Sequence, residues 1–367
     1  MQKRSLRYLI YLILCLLLIS DVHSTEKKYY FYNPDNRFGS DLYFNPANVV
    51  INGSYDILRN GGHTKNITEI DYKTGWDNVF YNVLNPIDRI EEYGWKNFLN
   101  QECFNLTLDS DKGQFVPNLT THLIGNGMLY VMMAEWYDYH GVKFPYFCSF
   151  ISTKVYQIMN ESIENGKYSG LHVDPISDML IFEPLGIILF STEFGKKLFT
   201  ETFSLHYWSL QPLINPANYY LENAGQQYIL RKKLPFCERY SFFFYWGING
   251  LGGITYSADG INKYSAGLGT VANKLHEKRL NGGRFLTPVM DGAMGFFYDR
   301  NNSLMCSLLL TGPRMYNARI NVYPGFLFNK WYAPGAYIGF GEWDKFLIGI
   351  TFAHLPVGVY TGSPNRK

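Results

Sequence analysis

The stretch Phe346-Leu-Ile-Gly-Ile-Thr-Phe352 alternates bulky apolar residues with small or polar ones. Side chains of a β-strand point to opposite faces with a period of two, so the bulky residues of this stretch share one face. The same alternation recurs over residues 318–326 and 263–273. The region from residue 226 to residue 354 is therefore predicted to be a succession of strands.

The connections between these strands predict an antiparallel sheet. Turn pairs such as Asn249-Gly250 and Asp259-Gly260 separate the strands, and no helical pattern does. We count roughly eight or nine strands, and in several of them a bulky apolar face lies opposite a face of Gly, Ser, Thr or Ala. That pattern is typical of a transmembrane barrel. The sequence thus predicts an α+β fold with an antiparallel up-and-down β-barrel over residues 211–367. A soluble barrel or sandwich with the bulky face as its core is the alternative.

Residues 86–210 carry a helical pattern instead. Apolar residues recur near every 3.6 positions, first from Pro86, then over residues 119–139 and 144–163. A further helix is predicted from Asp174 to residue 190, with Asp174 as its N-cap. We expect a helical layer or plug of three to four helices. Residues 25–85 are predicted to be a strand and loop segment, with strands near residues 41–44 and 49–58.

The N-terminus has the pattern of a secretory signal peptide. A basic start, an apolar run from Tyr8 to Ile19 and small residues near Ser24 predict export and cleavage after residue 24. The formal charge of +2 then falls to zero, which gives no electrostatic footprint for nucleic acid. A content of 47% hydrophobic residues excludes a disordered chain. The predicted location is the bacterial outer membrane, with the periplasm as the alternative.

Cysteine spacing argues against a metal site. Cys103, Cys148, Cys237 and Cys306 follow the signal peptide, and they include no C-x-x-C pair. Four cysteines allow three disulfide pairings, among which the sequence does not choose. We therefore predict no metal and no cofactor.

Buried polar residues in the helices are the candidates for chemistry. Asp178 and Glu183 are flanked by apolar residues, and a buried carboxylate needs a partner, for which His122 and Lys154 are candidates. His122, Asp178 and Ser177 form the predicted catalytic set, by analogy with a nucleophile beside a base. The sequence contains no Gly-x-Ser-x-Gly elbow, no His-Glu-x-x-His motif and no P-loop.

The helical segment resembles an uncharacterised family of bacterial exported, outer-membrane-associated proteins, in which helices precede a β-rich C-terminal part. The resemblance covers residues 118–190 and rests on Asn118, His122, Gly125, Gly127, Tyr130, Glu161, Ser177-Asp178 and Pro184-Leu-Gly186. It implies a fold and a compartment, since the family has no established activity. We predict Glu161 and Tyr130, together with Glu183, as binding residues.

The expected function is that of an exported integral outer-membrane protein with no assignable catalytic activity, whose partner is outer-membrane lipid. One alternative is an outer-membrane enzyme that acts on lipid or acyl chains. Another is a soluble periplasmic module that binds an apolar ligand.

Overall fold

The computed structural model describes residues 28–59, 63–104, 115–312, 316–328, 332–341 and 345–363. The predicted signal peptide, residues 1–24, lies outside the described residues. The chain divides into two units. The helical unit comprises Met1–Tyr32, Asp71–Lys197 and His276–Thr287, and the sheet unit comprises Asn33–Ile70, Leu198–Leu275 and Pro288–Lys367. Each unit is thus assembled from segments that are far apart in the sequence.

The α-helices are, in chain order, α1 (Gly39–Tyr43), α2 (Pro46–Ser54), α3 (Tyr72–Val83), α4 (Pro86–Tyr93), α5 (Trp95–Phe98), α6 (Phe115–Pro117), α7 (Asn126–Tyr139), α8 (Pro145–Glu164), α9 (Asp174–Ser177), α10 (Glu183–Ser191) and α11 (Glu193–Lys197). There are π-helical turns at Leu99–Cys103, Asn118–Gly125, Asp178–Phe182 and Leu198–Thr202, and a 3-10 turn at Asp56–Arg59. The predicted long helices are present, but the described residues contain more helical segments than the three to four expected.

Close packing of α7 against α10 organises the helical unit. Every residue from Asn126 to Glu135 is buried, so α7 is enclosed on all sides over its first ten positions. Two glycines allow the close approach. A Cβ atom on Gly186 would lie 2.3 Å from the Leu123 carbonyl oxygen, and one on Gly127 would lie 2.7 Å from the Gly186 carbonyl oxygen. Both are backbone contacts, which cannot rotate away.

We expect Gly186→Ala to lower the free energy of unfolding by about 1–3 kcal/mol, because the added methyl group overpacks the contact with the backbone at Leu123. Gly292→Ala is the matched control, since a Cβ atom there meets nothing within 4 Å. Chemical denaturation of both variants measures the difference. Equal effects would show that the packing of α10 against the π-helical turn Asn118–Gly125 does not depend on this glycine contact.

The strands are β1 (His206–Tyr207), β2 (Leu213–Ile214), β3 (Leu221–Glu222), β4 (Tyr228–Leu234), β5 (Cys237–Trp246), β6 (Asn249–Ser257), β7 (Asn262–Leu280), β8 (Gly283–Arg300), β9 (Ser303–Thr311), β10 (Ala318–Val322), β11 (Pro334–Phe340), β12 (Phe346–Phe352) and β13 (Gly358–Gly362). In the described residues they form one sheet in the order β1-β4-β5-β6-β7-β8-β9-β10-β11-β12-β13-β2-β3.

The predicted eight-stranded antiparallel barrel is wrong. The sheet has thirteen strands and is not closed, since its order ends on β1 and β3. It is also mixed, because β13 pairs with β2 in parallel whereas the other described pairings are antiparallel. The miss has a physical reason. β1, β2 and β3 have two residues each, which is too short for side-chain alternation to mark them.

In β12, side chains alternate between an exposed face of bulky residues and a buried face, and the buried face of the sheet carries large apolar residues as well as small or polar ones. In β12, Phe346, Ile348 and Ile350 are exposed, while Leu347, Gly349 and Thr351 between them are buried. The predicted partition of side chains between two faces is therefore present. The buried face holds an apolar core of its own, which includes Phe243, Leu251 and Phe297.

A buried ion pair also lies on this face. The Arg231 guanidinium donates to both carboxylate oxygens of Asp299, with Nη1 3.4 Å from Oδ1. It also donates to Thr255 Oγ1 at 3.1 Å and Ser265 Oγ at 3.2 Å, and it lies 5.0 Å from the Trp208 ring centroid. Burial raises the pKa of Asp299, and the charge of Arg231 opposes that rise. A buried charge that loses its partner is strongly destabilising, so this network ties β4 to β6, β7 and β8.

The N-terminal segment differs from the prediction, because the strands expected near residues 41–44 and 49–58 are helical. Asn45 caps α2 by accepting a hydrogen bond from the Asn48 N–H at 2.9 Å, and Pro46 occupies the first helical position. The Asn-Pro pair thus starts a helix. Asp71 caps α3 in the same way, at 3.1 Å from the Thr74 nitrogen.

Two further features concern bonding and membrane spans. The described cysteines Cys103, Cys148, Cys237 and Cys306 are all free thiols.

Among the described helices, none alone has the length and apolar composition to cross a membrane. One pair, Asp174–Ser191 with Glu193–Thr202, meets both requirements when taken together, with a bend of 85° between its parts.

Candidate functional site

His122 and Asp178 meet in the helical unit, each on a π-helical turn. Such turns are rare and occur frequently at functional sites. His122 Nε2 lies 3.0 Å from Asp178 Oδ2, and His122 Nδ1 lies 3.5 Å from Asn126 Nδ2. The Asn126 amide is oriented by the Tyr156 hydroxyl, which donates to its Oδ1 at 2.9 Å. The amide nitrogen therefore donates to Nδ1, which assigns the ring proton to Nε2, facing Asp178.

Burial keeps this pair from being a simple ion pair. It lowers the pKa of His122 to about 4. Burial also raises the pKa of Asp178 well above its usual range, and the charges of Asp174, Glu161 and Glu102 add to that rise. The His122 side chain is 21% exposed, whereas Asp178 is buried. The geometry is that of an imidazole oriented by a carboxylate, the arrangement that general acid–base chemistry uses.

Ser177 contacts the acid rather than the base. Its hydroxyl is fully buried and lies 2.8 Å from the Asp174 carbonyl oxygen and 3.1 Å from Asp178 Oδ1. Asn118 Nδ2 donates to the same hydroxyl at 3.3 Å. In the described part of the chain no hydrogen bond joins Ser177 to His122. The three predicted catalytic residues are therefore brought together, but in an order that does not activate the serine.

Glu183 and Lys154 form a second buried pair. Lys154 Nζ donates to Glu183 Oε2 and, at 3.3 Å, to the Met179 carbonyl oxygen. Glu183 is completely buried at the first position of α10. Burial raises the pKa of Glu183, and the neighbouring Lys154 charge lowers it. The sequence indicated that Asp178 and Glu183 need partners. Asp178 contacts His122, and Glu183 contacts Lys154.

The remaining predicted binding residues lie in different surroundings. Glu161 is buried in α8, and its charge interacts with that of Asp178. Tyr130 is buried in α7. Its carbonyl oxygen accepts from Ser149 Oγ at 2.5 Å, and its ring lies 6.0 Å from that of Tyr146. No contact described for Tyr130 involves His122 or Asp178, so its surroundings are those of a helix-packing residue.

An acidic cluster, which the sequence did not reveal, adjoins this site. We use the name for five carboxylates whose charges interact: Glu102, Glu161, Glu164, Asp174 and Asp178. Burial and the charge of Asp174 raise the pKa of Glu164 to about 7, and burial raises that of Asp174 to about 6, while Arg284 opposes both shifts. Asp174 is the first residue of α9, and its side chain does not cap the helix, contrary to expectation.

The cluster is assembled from distant segments, which explains why it was missed. Glu102 lies in the turn after α5, Glu164 ends α8, and Arg284 comes from the β7–β8 hairpin. Arg284 Nη1 donates to the Glu164 carbonyl oxygen at 3.1 Å. The sequence contained one sign of this cluster, the closeness of His172 to Asp174. It was overlooked because Asp174 was interpreted as a helix N-cap.

Comparisons with known proteins do not add to this description. No protein-family model, no curated protein and no solved structure matches the chain. By its fold, the chain is an α+β protein. Its sheet exposes an apolar face, and its helical unit contains a buried acidic cluster.

We expect Lys154→Met to lower the free energy of unfolding by about 3 kcal/mol at neutral pH, because it leaves the Glu183 charge buried without its partner. The pKa of Glu183 then lies further above the value of about 4.3 found in unfolded chains, so protonation favours the folded state. The penalty should therefore shrink as the pH falls toward 5. Chemical denaturation at both pH values measures it.

The double variant Lys154→Met, Glu183→Gln is the control. It removes the uncompensated charge, so most of the lost stability should return and its pH dependence should vanish. A Lys154→Met penalty that is the same at both pH values would mean that lost packing, rather than the charge of Glu183, causes the loss.

Proposed function

We propose that this chain is an exported protein of the bacterial outer membrane, and that the apolar face of its sheet contacts lipid hydrocarbon. The outward face of strands β8–β13, whose side chains are exposed or partly exposed, carries the proposal. In its middle row, Phe296, Leu308, Ile320, Ile338 and Ile348 are register partners across five neighbouring strands. Soluble proteins rarely expose a contiguous apolar surface of this extent.

Two further rows flank the middle one. One consists of Met294, Leu310, Ala318, Phe340 and Phe346, and the other of Tyr298, Cys306, Val322, Ala336, Ile350 and Val359. None of these residues is charged. Placing a lysine or arginine at the centre of a bilayer is costly, so an uncharged face is what contact with hydrocarbon requires.

The size and borders of the face also fit a bilayer. On β8 the exposed face runs from Met290 to Tyr298, eight steps of about 3.3 Å, or about 26 Å. Outer-membrane barrels have an apolar band about 25 Å tall and strands tilted by about 35–45°, so this length of strand corresponds to about 20 Å of that height. A tyrosine row borders it, since Tyr240, Tyr256 and Tyr264 are register partners and the Tyr264 ring stacks 5.2 Å from that of Tyr298. Tyrosine is enriched where hydrocarbon meets headgroups.

Both faces of the sheet carry apolar residues. The buried face packs residues such as Phe243, Leu251 and Phe297 together with the ion pair of Arg231 and Asp299. On the other face, Leu268 and Ile254 are exposed without such a layer over them in the described residues. The resemblance to an exported, outer-membrane-associated family points to the same compartment.

An enzyme that acts on lipid is a second candidate, favoured by the partly exposed imidazole of His122 against Asp178. Ser177 is not its nucleophile, because its hydroxyl bonds to Asp178. Membranes that contain folded His122→Ala should then differ from wild type in lipid composition. Identical lipid profiles would end this candidate and leave the lipid contact of the sheet standing.

We expect Ile348→Lys to lower the free energy of unfolding in lipid vesicles by about 2–4 kcal/mol, because the middle row lies at the depth where a cation costs most. Ile261→Lys is the matched control. Both isoleucines are about half exposed, at 50% and 51%, but Ile261 lies in the turn between β6 and β7. Its replacement should change stability by no more than about 0.5 kcal/mol.

Equal effects of the two substitutions would refute the lipid contact. So would release of the mature protein from envelopes by alkaline washing without detergent. A dimer in detergent-free buffer that Ile348→Lys converts to a monomer would show that a second copy of the chain covers the face.

A further inference from the structure

Three side chains of the helical unit offer ligand atoms at one point. One atom each from Glu164, His172 and Asp174 lies within 4.8 Å of the other two, and His172 Nε2 lies 4.0 Å from Asp174 Oδ2. Ligand atoms placed about 2.1 Å from a shared ion lie about 3–4.2 Å apart. Atoms as far as 4.8 Å apart therefore have to approach by at least about 0.6 Å to share one ion.

The imidazole of His172 is oriented for this role. Its Nδ1 lies 2.9 Å from Asn165 Oδ1. That amide oxygen is identified by its other donors, Asn78 Nδ2 at 3.1 Å and Arg284 Nη1 at 3.3 Å, while Asn165 Nδ2 donates to the Glu161 carbonyl oxygen. Nδ1 must therefore carry the ring proton, which leaves the Nε2 lone pair facing Asp174. A histidine that donates its other N–H to a fixed oxygen is the usual second-shell arrangement of a metal ligand.

Two buried carboxylate oxygens next to these ligands have no hydrogen-bond partner. They are Oε2 of Glu161 and Oε2 of Glu102. Both residues are more than nine-tenths buried, with 4% and 1% exposure. Glu161 interacts electrostatically with Glu164 and Asp174, and Glu102 with Asp174, so both belong to the same cluster. A buried acceptor without a donor costs free energy that a cation would recover.

Charge balance points to the same ligand. Arg284 is the guanidinium that acts on Glu161, Glu164 and Asp174 together. Without further positive charge, burial and mutual repulsion raise the pKa values of these carboxyl groups and favour their protonated forms. A divalent cation held by Glu164, His172 and Asp174 would supply the compensating charge and allow the carboxylates to ionise.

We propose that the helical unit binds one divalent transition-metal ion through His172 Nε2, Asp174 and Glu164, with Glu161 and Glu102 as the adjoining carboxylates. An imidazole among carboxylates favours zinc, manganese or iron over magnesium and calcium, which prefer oxygen ligands alone. This inference concerns the helical unit, and it does not depend on contact between the sheet and lipid.

Metal binding is tested on the full mature chain, stripped with a chelator and then titrated. Zn²⁺ is counted by elemental analysis after removal of unbound metal, and Co²⁺ is followed by its visible absorption. We expect one ion per chain. At a Zn²⁺ concentration about 100 times its dissociation constant, the unfolding equilibrium constant should fall about 100-fold.

Asp174→Asn separates a metal site from a merely structural acidic cluster. It keeps the size of the side chain but removes one ligand charge, so affinity for Zn²⁺ should fall by at least the roughly 100-fold that loss of a second-shell partner reaches. In chelator, the same variant should be at least as stable as wild type, because one of the repelling carboxylates is gone. A second variant, His172→Asn, removes the imidazole ligand and should also lower the affinity for Zn²⁺. Asp174→Asn tests the proposal even if His172→Asn fails to fold.

His140→Asn is the matched control for His172→Asn. His140 lies in the same unit, but it is exposed and its ring stacks 3.9 Å from that of Trp136. Substitution there should leave the stoichiometry and affinity unchanged. Absence of bound Zn²⁺ and Co²⁺, or binding that Asp174→Asn leaves unaltered, would overturn the proposal.

Discussion

The ion pair between Arg231 and Asp299 determines which face of the sheet is packed. These charges are buried and satisfied by each other and by the hydroxyl groups of Thr255 and Ser265. Exposing such a network to hydrocarbon, or removing its hydrogen-bond partners, would be energetically costly. Because side chains alternate along a strand, fixing these residues on one face forces their neighbours onto the other. The exposed apolar rows therefore lie opposite a buried face that combines this ion pair with an apolar core around Trp208, Phe243 and Phe297.

The same requirement, that a buried charge must be compensated, separates structure from function in the helical unit. Glu183 has Lys154, and this partner is enough to explain why the glutamate is there. Asp178 has His122 and Ser177, an arrangement with both structural and chemical uses. Glu102 and Glu161 each keep one oxygen without a partner in the described structure. The proposed metal site lies beside these two carboxylates, whose buried Oε2 atoms lack a hydrogen-bond partner among the described residues.

Local patterns predicted the elements well and their assembly poorly. Alternation identified nine of the strands, and apolar periodicity identified the helices from Pro86 onward, because both signals lie within a dozen residues. The strand predicted near residues 49–58 was wrong because Asn45 and Pro46 cap and start a helix just before it. The open, mixed topology was missed because β13 pairs with β2, about 145 residues earlier, and no local signal reports such a pairing. The contacts of His122 with Asp178 and of Lys154 with Glu183 could be predicted from the sequence, because buried carboxylates require partners.

Arg284 has a consequence for how the protein is made. The helices that surround the acidic cluster are complete by residue 197, yet the guanidinium that offsets their charge comes from the segment His276–Thr287. A nascent chain must therefore be extended by roughly another 90 residues before this part can reach its final electrostatic balance. Until then the five carboxylates have to remain hydrated or protonated. The helical segment should consequently mature after strands β1–β7 have been synthesised, although it precedes the sheet in the sequence.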